Sequence, residues 1–143
     1  MSNEIVKHLS FGAEARESVF NGIDKLYLAV SSTLGASGRC VLLEDSSGKP
    51  VVTKDGVTVA NAVTLLDPVE NMGATLLKQA ARKTVEEAGD GTTTATILAH
   101  SIISEAQKIQ GYSEREIKAG INSATSKVIK YLTDRAKDVD GDM

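Results

Sequence analysis

Apolar residues recur at steps of three and four along four long segments of this 143-residue chain, and this spacing constrains the fold most strongly. In the first segment, residues 13–33, the repeating positions are Val19, Ile23, Leu26 and Val30. An α-helix turns once every 3.6 residues, so these positions share one helical face that can pack against a core. The same pattern predicts three further long helices.

Local signals mark where the three later helices begin and end. Asp67 and Pro68 start the second, because aspartate caps a helix and proline fits its first turn, and Gly89 ends it. The third begins after Gly91, and the fourth follows the capping-box pattern of Ser113–Glu116. The residues that share one stripe are Met72, Leu76, Ala80 and Thr84 in the second helix, and Ala95, Leu98, Ile102, Ala106 and Ile109 in the third. In the fourth helix the residues expected to face inward are Ile117, Ile121, Ala124, Val128 and Leu132.

Two short β-strands are predicted between the first and second long helices. Residues 39–45 and Val51–Thr53 are apolar at their centres and are separated by a turn sequence, which is typical of an antiparallel hairpin. Two strands are not stable alone, so a neighbouring element or a partner chain must support them. Asp55 and Gly56 close the hairpin and cap a short helix. The fold class predicted is mainly α, with a bundle of four long helices and one small β-hairpin.

Composition excludes several classes of function. The chain has 16 basic and 19 acidic residues, which gives no support to a surface for nucleic acid or for an anionic membrane. The single cysteine, Cys40, excludes an internal disulfide and favours a reducing compartment, so we expect a cytoplasmic protein. Cys40 falls in the first predicted strand, where we expect it to be buried. The sequence shows neither a signal peptide nor an apolar run long enough to span a membrane.

The segment Gly89–Thr94 carries the strongest chemical signal. It contains two glycines, one aspartate and three threonines, and it opens a long helix. Unpaired backbone N–H groups and the helix dipole attract phosphate oxygens to a helix start, and a carboxylate beside phosphates suits Mg²⁺. The alternative is a glycine stop followed by a threonine cap, which leaves the run of three threonines unexplained. The segment lacks the Walker A pattern, and Gly-x-Gly-x-x-Gly is absent from the sequence.

Two other loops are weaker candidates. Lys54 and Asp55 lie at a sharp bend, where the ammonium group could meet a phosphate and the carboxylate could orient water; taken alone, an ordinary Asp-Gly turn explains them better. Residues 33–38 form either a second phosphate-facing loop or a helix stop. Gly35–Gly38 also fits the Gly-x-x-Gly loop of KH domains, but a strand follows it here instead of a helix.

Five segments, in this order, resemble motifs of the group I chaperonins, the bacterial and organellar Hsp60 family. They are Phe11–Arg16, Thr33–Arg39, Thr53–Ala60, Glu70–Ala74 and Ala88–Thr96. The last is the most specific. Lys54 and Glu70–Ala74 favour group I, because group II chaperonins usually carry Asn at the place of Lys54. Ala36 and Ser37 stand where the family has Pro-Lys.

The resemblance implies the N-terminal part of an equatorial, ATP-binding domain at residues 1–136, and an acidic tail or the start of an intermediate domain at 137–143. It implies ATP and Mg²⁺ as cofactors, with Asp90 as the metal ligand. Asp55 would be one of two carboxylates that prepare water for attack on the γ-phosphate. The residues that would contact the nucleotide are Thr33, Leu34, Gly35, Lys54, Gly91, Thr92, Thr93 and Thr94.

By the same resemblance, the hairpin and a segment from about Glu4 to Leu9 would pair with strands of the same and adjacent subunits. The partners would be other chaperonin subunits, in a homo-oligomeric ring or in the ring of a host. Family members are several times longer, so unfolded clients would bind only through domains that this sequence lacks. We therefore expect a phage-borne or truncated relative.

Two functions from different classes follow. The first is an Mg-ATP-binding segment of a chaperonin that assists folding through ATP-driven cycling of a ring, with ATP hydrolysis near background for this chain alone. The second is a non-catalytic module that joins or modulates a chaperonin ring through its hairpin and helix faces. An unrelated small phosphotransferase is a poor third, because Asp55 is the only plausible base.

Overall fold

The computed structural model describes residues 9–45 and 47–137, and within them it confirms a mainly helical fold with one small sheet. The elements are α1 (Gly12–Ser31), β1 (Val41–Glu44), β2 (Pro50–Thr53), α2 (Gly56–Ala62), α3 (Pro68–Ala88), α4 (Thr92–Lys108) and α5 (Glu114–Arg135). The chain divides into two compact units, Met1–Ile103 and Ser104–Met143. Except for Leu9, the expected N-terminal strand lies outside the described residues, as does the acidic tail beyond Lys137.

Side-chain caps fix the helix starts close to where the sequence predicted them. The carboxylate of Asp55 accepts from the first backbone N–H groups of α2, and that of Asp67 does the same for α3. Ser113 and Glu116 form a complete capping box at α5. Gly89 ends α3 with a φ of +76°, a left-handed conformation that glycine adopts without strain.

Helices α1 and α3 approach each other closely because each carries a glycine at the contact. A Cβ atom at Gly22 would lie 1.8 Å from the carbonyl oxygen of Glu70, and one at Gly73 would lie 1.9 Å from that of Val19. The Lys25 ammonium and the Glu70 carboxylate, 2.5 Å apart, also join the two helices. The contact leaves no room for larger side chains at either glycine.

The core of the first unit lies where α1, α2 and α3 meet. Its buried members are Ile23, Leu26, Val30, Val59, Ala60, Ala74 and Leu77. The stripe predicted for α1 is confirmed, because Ile23, Leu26 and Val30 are buried and Val19 packs against them.

The stripe that the spacing marks on α3 is not the buried face of this helix. Met72 and Leu76 are 55% and 57% exposed, and α3 instead buries Gly73, Ala74, Leu77 and Ala81. The close crossing with α1 is made at Gly73 on this neighbouring face, and Met72 and Leu76 lie outside it.

The stripe on α4 is likewise not its buried face, and the inward face predicted for α5 is wrong. Leu98, Ile102 and Ile109 are exposed, whereas α4 buries Thr92 and Thr96. All residues of α5 are described and none is buried; Val128 and Leu132 are more than half exposed. Periodicity identifies an apolar face, but it does not show which element covers that face.

His100 ties α4 to α1. Its Nε2 lies 2.6 Å from Asp24 Oδ1, and its ring stacks on Tyr27 with centroids 3.8 Å apart. This agrees with a structural role for His100; His8 lies outside the described residues. Within residues 9–45 and 47–137, no group of three His, Cys, Asp or Glu side chains is arranged to hold a metal ion.

The two strands form an antiparallel hairpin with Val41 opposite Thr53 and Glu44 opposite Pro50. Leu42 and Val52 are paired on an exposed face. Cys40 precedes β1 and is exposed, so the expectation of a buried cysteine was wrong. None of the helices described is long and apolar enough to cross a membrane.

Candidate functional site

The helices that flank the three loops singled out in the sequence touch at one place in the first unit. A Cβ atom at Gly56 would lie 2.1 Å from Thr93 Oγ1 and 3.5 Å from Val30 Cγ1. Gly56 begins α2, Thr93 lies in the first turn of α4, and Val30 is in the last turn of α1. The loops that carry Thr33, Asp55 and Asp90 therefore leave or enter helices that touch at Gly56.

The loop after α1 is a tight turn held by its own backbone. Thr33 is buried, and its hydroxyl donates to the carbonyl of Val30 at 2.7 Å. Leu34 is 49% exposed, and Gly35 has a φ of +75°, where an added Cβ atom would meet nothing within 4 Å. The amide of Arg39 donates to the carbonyl of Ser32, which closes the turn. Residues 34–37 are all exposed, so Leu34 and Gly35 form part of the accessible surface of this loop.

Lys54 and Asp55 lie between β2 and α2, and both are exposed. Asp55 Oδ2 accepts from the Thr58 hydroxyl at 2.5 Å and from the Thr58 amide at 2.8 Å, while Oδ1 accepts weakly from the Val57 amide at 3.4 Å. These hydrogen bonds hold the pKa of Asp55 below its ordinary value, and the bond from the Thr58 hydroxyl makes the largest contribution. Asp55 is therefore an anion at neutral pH.

Asp90 and Gly91 form the entry to α4. Asp90 Oδ1 accepts from the amide of Gly91 at 2.6 Å, and Gly91 has a φ of +89°. A carboxylate has about four lone-pair sites, so one such bond leaves Asp90 able to bind a cation. Mg²⁺ is commonly held by one or two carboxylates together with substrate phosphates. The residues present therefore fit an Mg²⁺ ion that arrives with a phosphate ligand.

The three threonines of the α4 entry have different surroundings. Thr92 is 6% exposed and lines a cavity of about 140 Å³ between α2 and α3. Thr93 is half-buried and its hydroxyl faces Gly56. Thr94 is exposed. Thr94 is therefore the most exposed of the three threonines.

This first turn suits an anionic ligand. The N–H groups at the start of an α-helix have no partner within the helix, and the 17-residue α4 adds the positive end of its dipole. Lys54 supplies a positive side chain on the neighbouring loop. The arrangement can bind phosphate oxygens and hold a divalent cation at Asp90.

Sequence reasoning missed two contributors to this geometry. The sequence pattern indicates a turn at Gly56, whereas in the structure Gly56 is the point at which α2 meets α4. Thr58 has no role in the sequence-based site, although its spacing of three residues from Asp55 matches a helix-capping pattern that signals the hydrogen bond. The Gly56 contact carries no signal in the local sequence, because its partner lies 37 residues along the chain.

Comparison with known proteins identifies the family. Residues 26–142 match the model of the TCP-1/cpn60 chaperonin family. The chain is 51% identical to the mitochondrial heat shock protein 60 of Ajellomyces capsulatus and 50% identical to heat shock protein 60 of Emericella nidulans. Each match covers 93% of this chain and 23% of the relative, so the chain spans about a quarter of the length of these proteins.

Solved chaperonin structures share the fold. The chaperonin gp146 of bacteriophage EL, crystallised in the presence of ATP-BeFx, superposes with a TM-score of 0.80 at 30% identity, over 90% of this chain and 22% of that one. A group III chaperonin in the open state gives a TM-score of 0.75 at 32% identity, over 88% of this chain and 25% of that one. The fold is that of the chaperonin equatorial domain, and the sequence resembles the N-terminal segment of Hsp60. The chain belongs to the TCP-1/cpn60 chaperonin family.

Proposed function

We propose that this chain binds Mg-ATP as the N-terminal part of a chaperonin equatorial domain, within a ring that assists protein folding. The observation that supports the proposal is the contact of Gly56, the residue after Asp55, with Thr93 in the first turn of α4. The description of the bacteriophage EL chaperonin in the presence of ATP-BeFx lends further support. The cytoplasmic location stays a prediction.

Each side chain would have a separate task. Leu34 and Gly35 would contact the nucleotide, the amides of Gly91–Thr94 would bind its phosphates, and Lys54 would neutralise phosphate charge. Asp90 would hold Mg²⁺, which when bound neutralises the charge that develops on the phosphate oxygens. Asp55 would accept a hydrogen bond from the attacking water and so orient it.

Calorimetric titration with Mg-ATP tests the proposal. We expect the wild-type chain to release binding heat, and Asp90→Ala to lower the affinity about tenfold or more, because the metal then loses its protein ligand. Asp134→Ala is the matched control, since Asp134 is an exposed aspartate on α5. Equal heats for wild type and Asp90→Ala would exclude the metal role of Asp90, and no heat with wild type would exclude nucleotide binding by this chain.

A second candidate is a non-catalytic module that joins a chaperonin ring. It is favoured by the hairpin, because within the described residues β1 and β2 pair only with each other and each has an outer edge without a strand partner. Unpaired edges are sites at which a strand of another chain can add. Co-purification of the chain with a full-length group I chaperonin would support this function, whereas a monomer that does not associate with such rings would exclude it.

A further inference from the structure

The carboxylate of Asp55 is held more firmly than a helix cap requires. An aspartate cap satisfies exposed backbone N–H groups, and Asp67 at α3 does this with Oδ1 alone, which accepts from the amides of Val69 and Glu70 at 2.8 Å each. Asp55 accepts the equivalent amide bonds and, in addition, the 2.5 Å bond from the hydroxyl of Thr58. The position equivalent to Thr58 at α3 is Glu70, which has no hydroxyl. The added bond therefore distinguishes the cap of α2 from the aspartate cap of α3.

The added bond also distinguishes the two carboxylate oxygens of Asp55. Oδ2 accepts from both the amide and the hydroxyl of Thr58, so its two lone pairs are occupied. Oδ1 accepts one long bond of 3.4 Å and keeps the capacity to accept from another donor. The oxygen that can still accept a strong hydrogen bond is therefore Oδ1.

The backbone beneath this carboxylate is fixed from a different direction. Gly56 follows Asp55 directly and lies against Thr93 of α4. The amide of Asp55 donates to the Thr53 hydroxyl at 3.0 Å. Thr93 and Thr53 thus fix the backbone of Asp55, while Thr58 fixes the rotamer of its side chain.

We propose that Thr58 is a positioning residue: its hydroxyl holds the Asp55 carboxylate so that Oδ1 is free to accept a hydrogen bond from the water beside the bound phosphates. This inference rests on the proposed function, since it gives Asp55 its role in the same site. The lowered pKa of Asp55 agrees with it, because an ionised carboxylate in one orientation can orient water without taking up a proton in the resting state.

Nuclear magnetic resonance of the full chain tests the inference through three variants. Thr58→Val keeps the shape of the side chain and removes the hydroxyl, and Thr58→Ser restores it. Thr75→Val is the control, because the exposed hydroxyl of Thr75 donates to the carbonyl of Asn71 and not to a carboxylate. Two signals are followed on addition of Mg-ATP: the carboxyl carbon of Asp55, and the amides of Gly91–Thr94.

For the wild type and for the Thr58→Ser and Thr75→Val variants, we expect three-bond couplings that indicate a single side-chain rotamer of Asp55. We also expect Mg-ATP to shift the resonance of the Asp55 carboxyl carbon clearly in these three proteins. In Thr58→Val that shift falls by about half or more, because the side chain samples other staggered rotamers. If Thr58 only stabilised the helix, the Mg-ATP-induced shift of the Asp55 carboxyl carbon would be the same in Thr58→Val as in the wild type, while the amides of Gly91–Thr94 still respond. That result would overturn the inference.

Failure of the proposed function gives a different result. If the amides of Gly91–Thr94 do not respond to Mg-ATP in the wild type, nucleotide binding itself is excluded and the role of Thr58 falls with it. If those amides respond equally in all four proteins and the Asp55 carboxyl carbon responds equally as well, only the role of Thr58 is excluded.

Discussion

At the scale of single residues, Gly56 links the fold to the candidate site. We expect Gly56→Ala to lower the free energy of unfolding by about 1–3 kcal/mol, because the new methyl group would overlap the Thr93 hydroxyl, which must turn away. Chemical denaturation measures this change. The same variant should weaken Mg-ATP binding in calorimetry, since Thr93 belongs to the first turn of α4.

Gly120→Ala is the matched control for this prediction. Gly120 lies within α5, and a Cβ atom there meets nothing within 4 Å. Alanine is the better helix former, so we expect this change to raise stability by about 0.5–1 kcal/mol. If Gly56→Ala proved as stable as Gly120→Ala, the contact between α2 and α4 would not exist as described.

At the scale of elements, the crossing of α1 and α3 depends on a more rigid contact. We expect Gly73→Ala to cost about 3 kcal/mol, at the upper end for overpacking, because its methyl group would meet the backbone carbonyl of Val19 and not a side chain that can rotate. Thermal and chemical unfolding measure the loss. A Gly73→Ala protein that lost less stability than Gly56→Ala would contradict the close crossing.

The same crossing explains how much of the fold the sequence could reveal. Helix limits were predictable to within one or two residues because Asp55, Asp67, Gly89 and Ser113 act on their immediate neighbours. The buried face of α3 was not, because the spacing of Met72 and Leu76 marks an apolar stripe without showing that α1 packs at Gly73 on the neighbouring face. The same distinction applies to the candidate site. The sequence of each loop indicates its local structure, but the contact between Gly56 and Thr93 joins residues that are far apart in the chain and could not be predicted.

At the scale of the whole molecule, the expected ATP hydrolysis depends on the share of a chaperonin that the chain spans, which is about a quarter of the length of its relatives. Phosphoryl transfer relies on groups that position water, metal and phosphate together, and by the family resemblance this chain supplies one of two carboxylates. We therefore expect ATP hydrolysis by the purified chain to stay near the uncatalysed rate. Phosphate release at saturating Mg-ATP measures it, with Asp55→Asn as the comparison; robust turnover that Asp55→Asn abolishes would contradict this expectation.

The exposed position of Cys40 has a practical consequence. It is the only cysteine in the sequence, and it directly precedes β1. A fluorophore attached through maleimide chemistry would therefore modify one place only, beside an edge of the hairpin. Its emission would report the arrival of another strand at that edge in real time, in a protein whose sequence has not been altered.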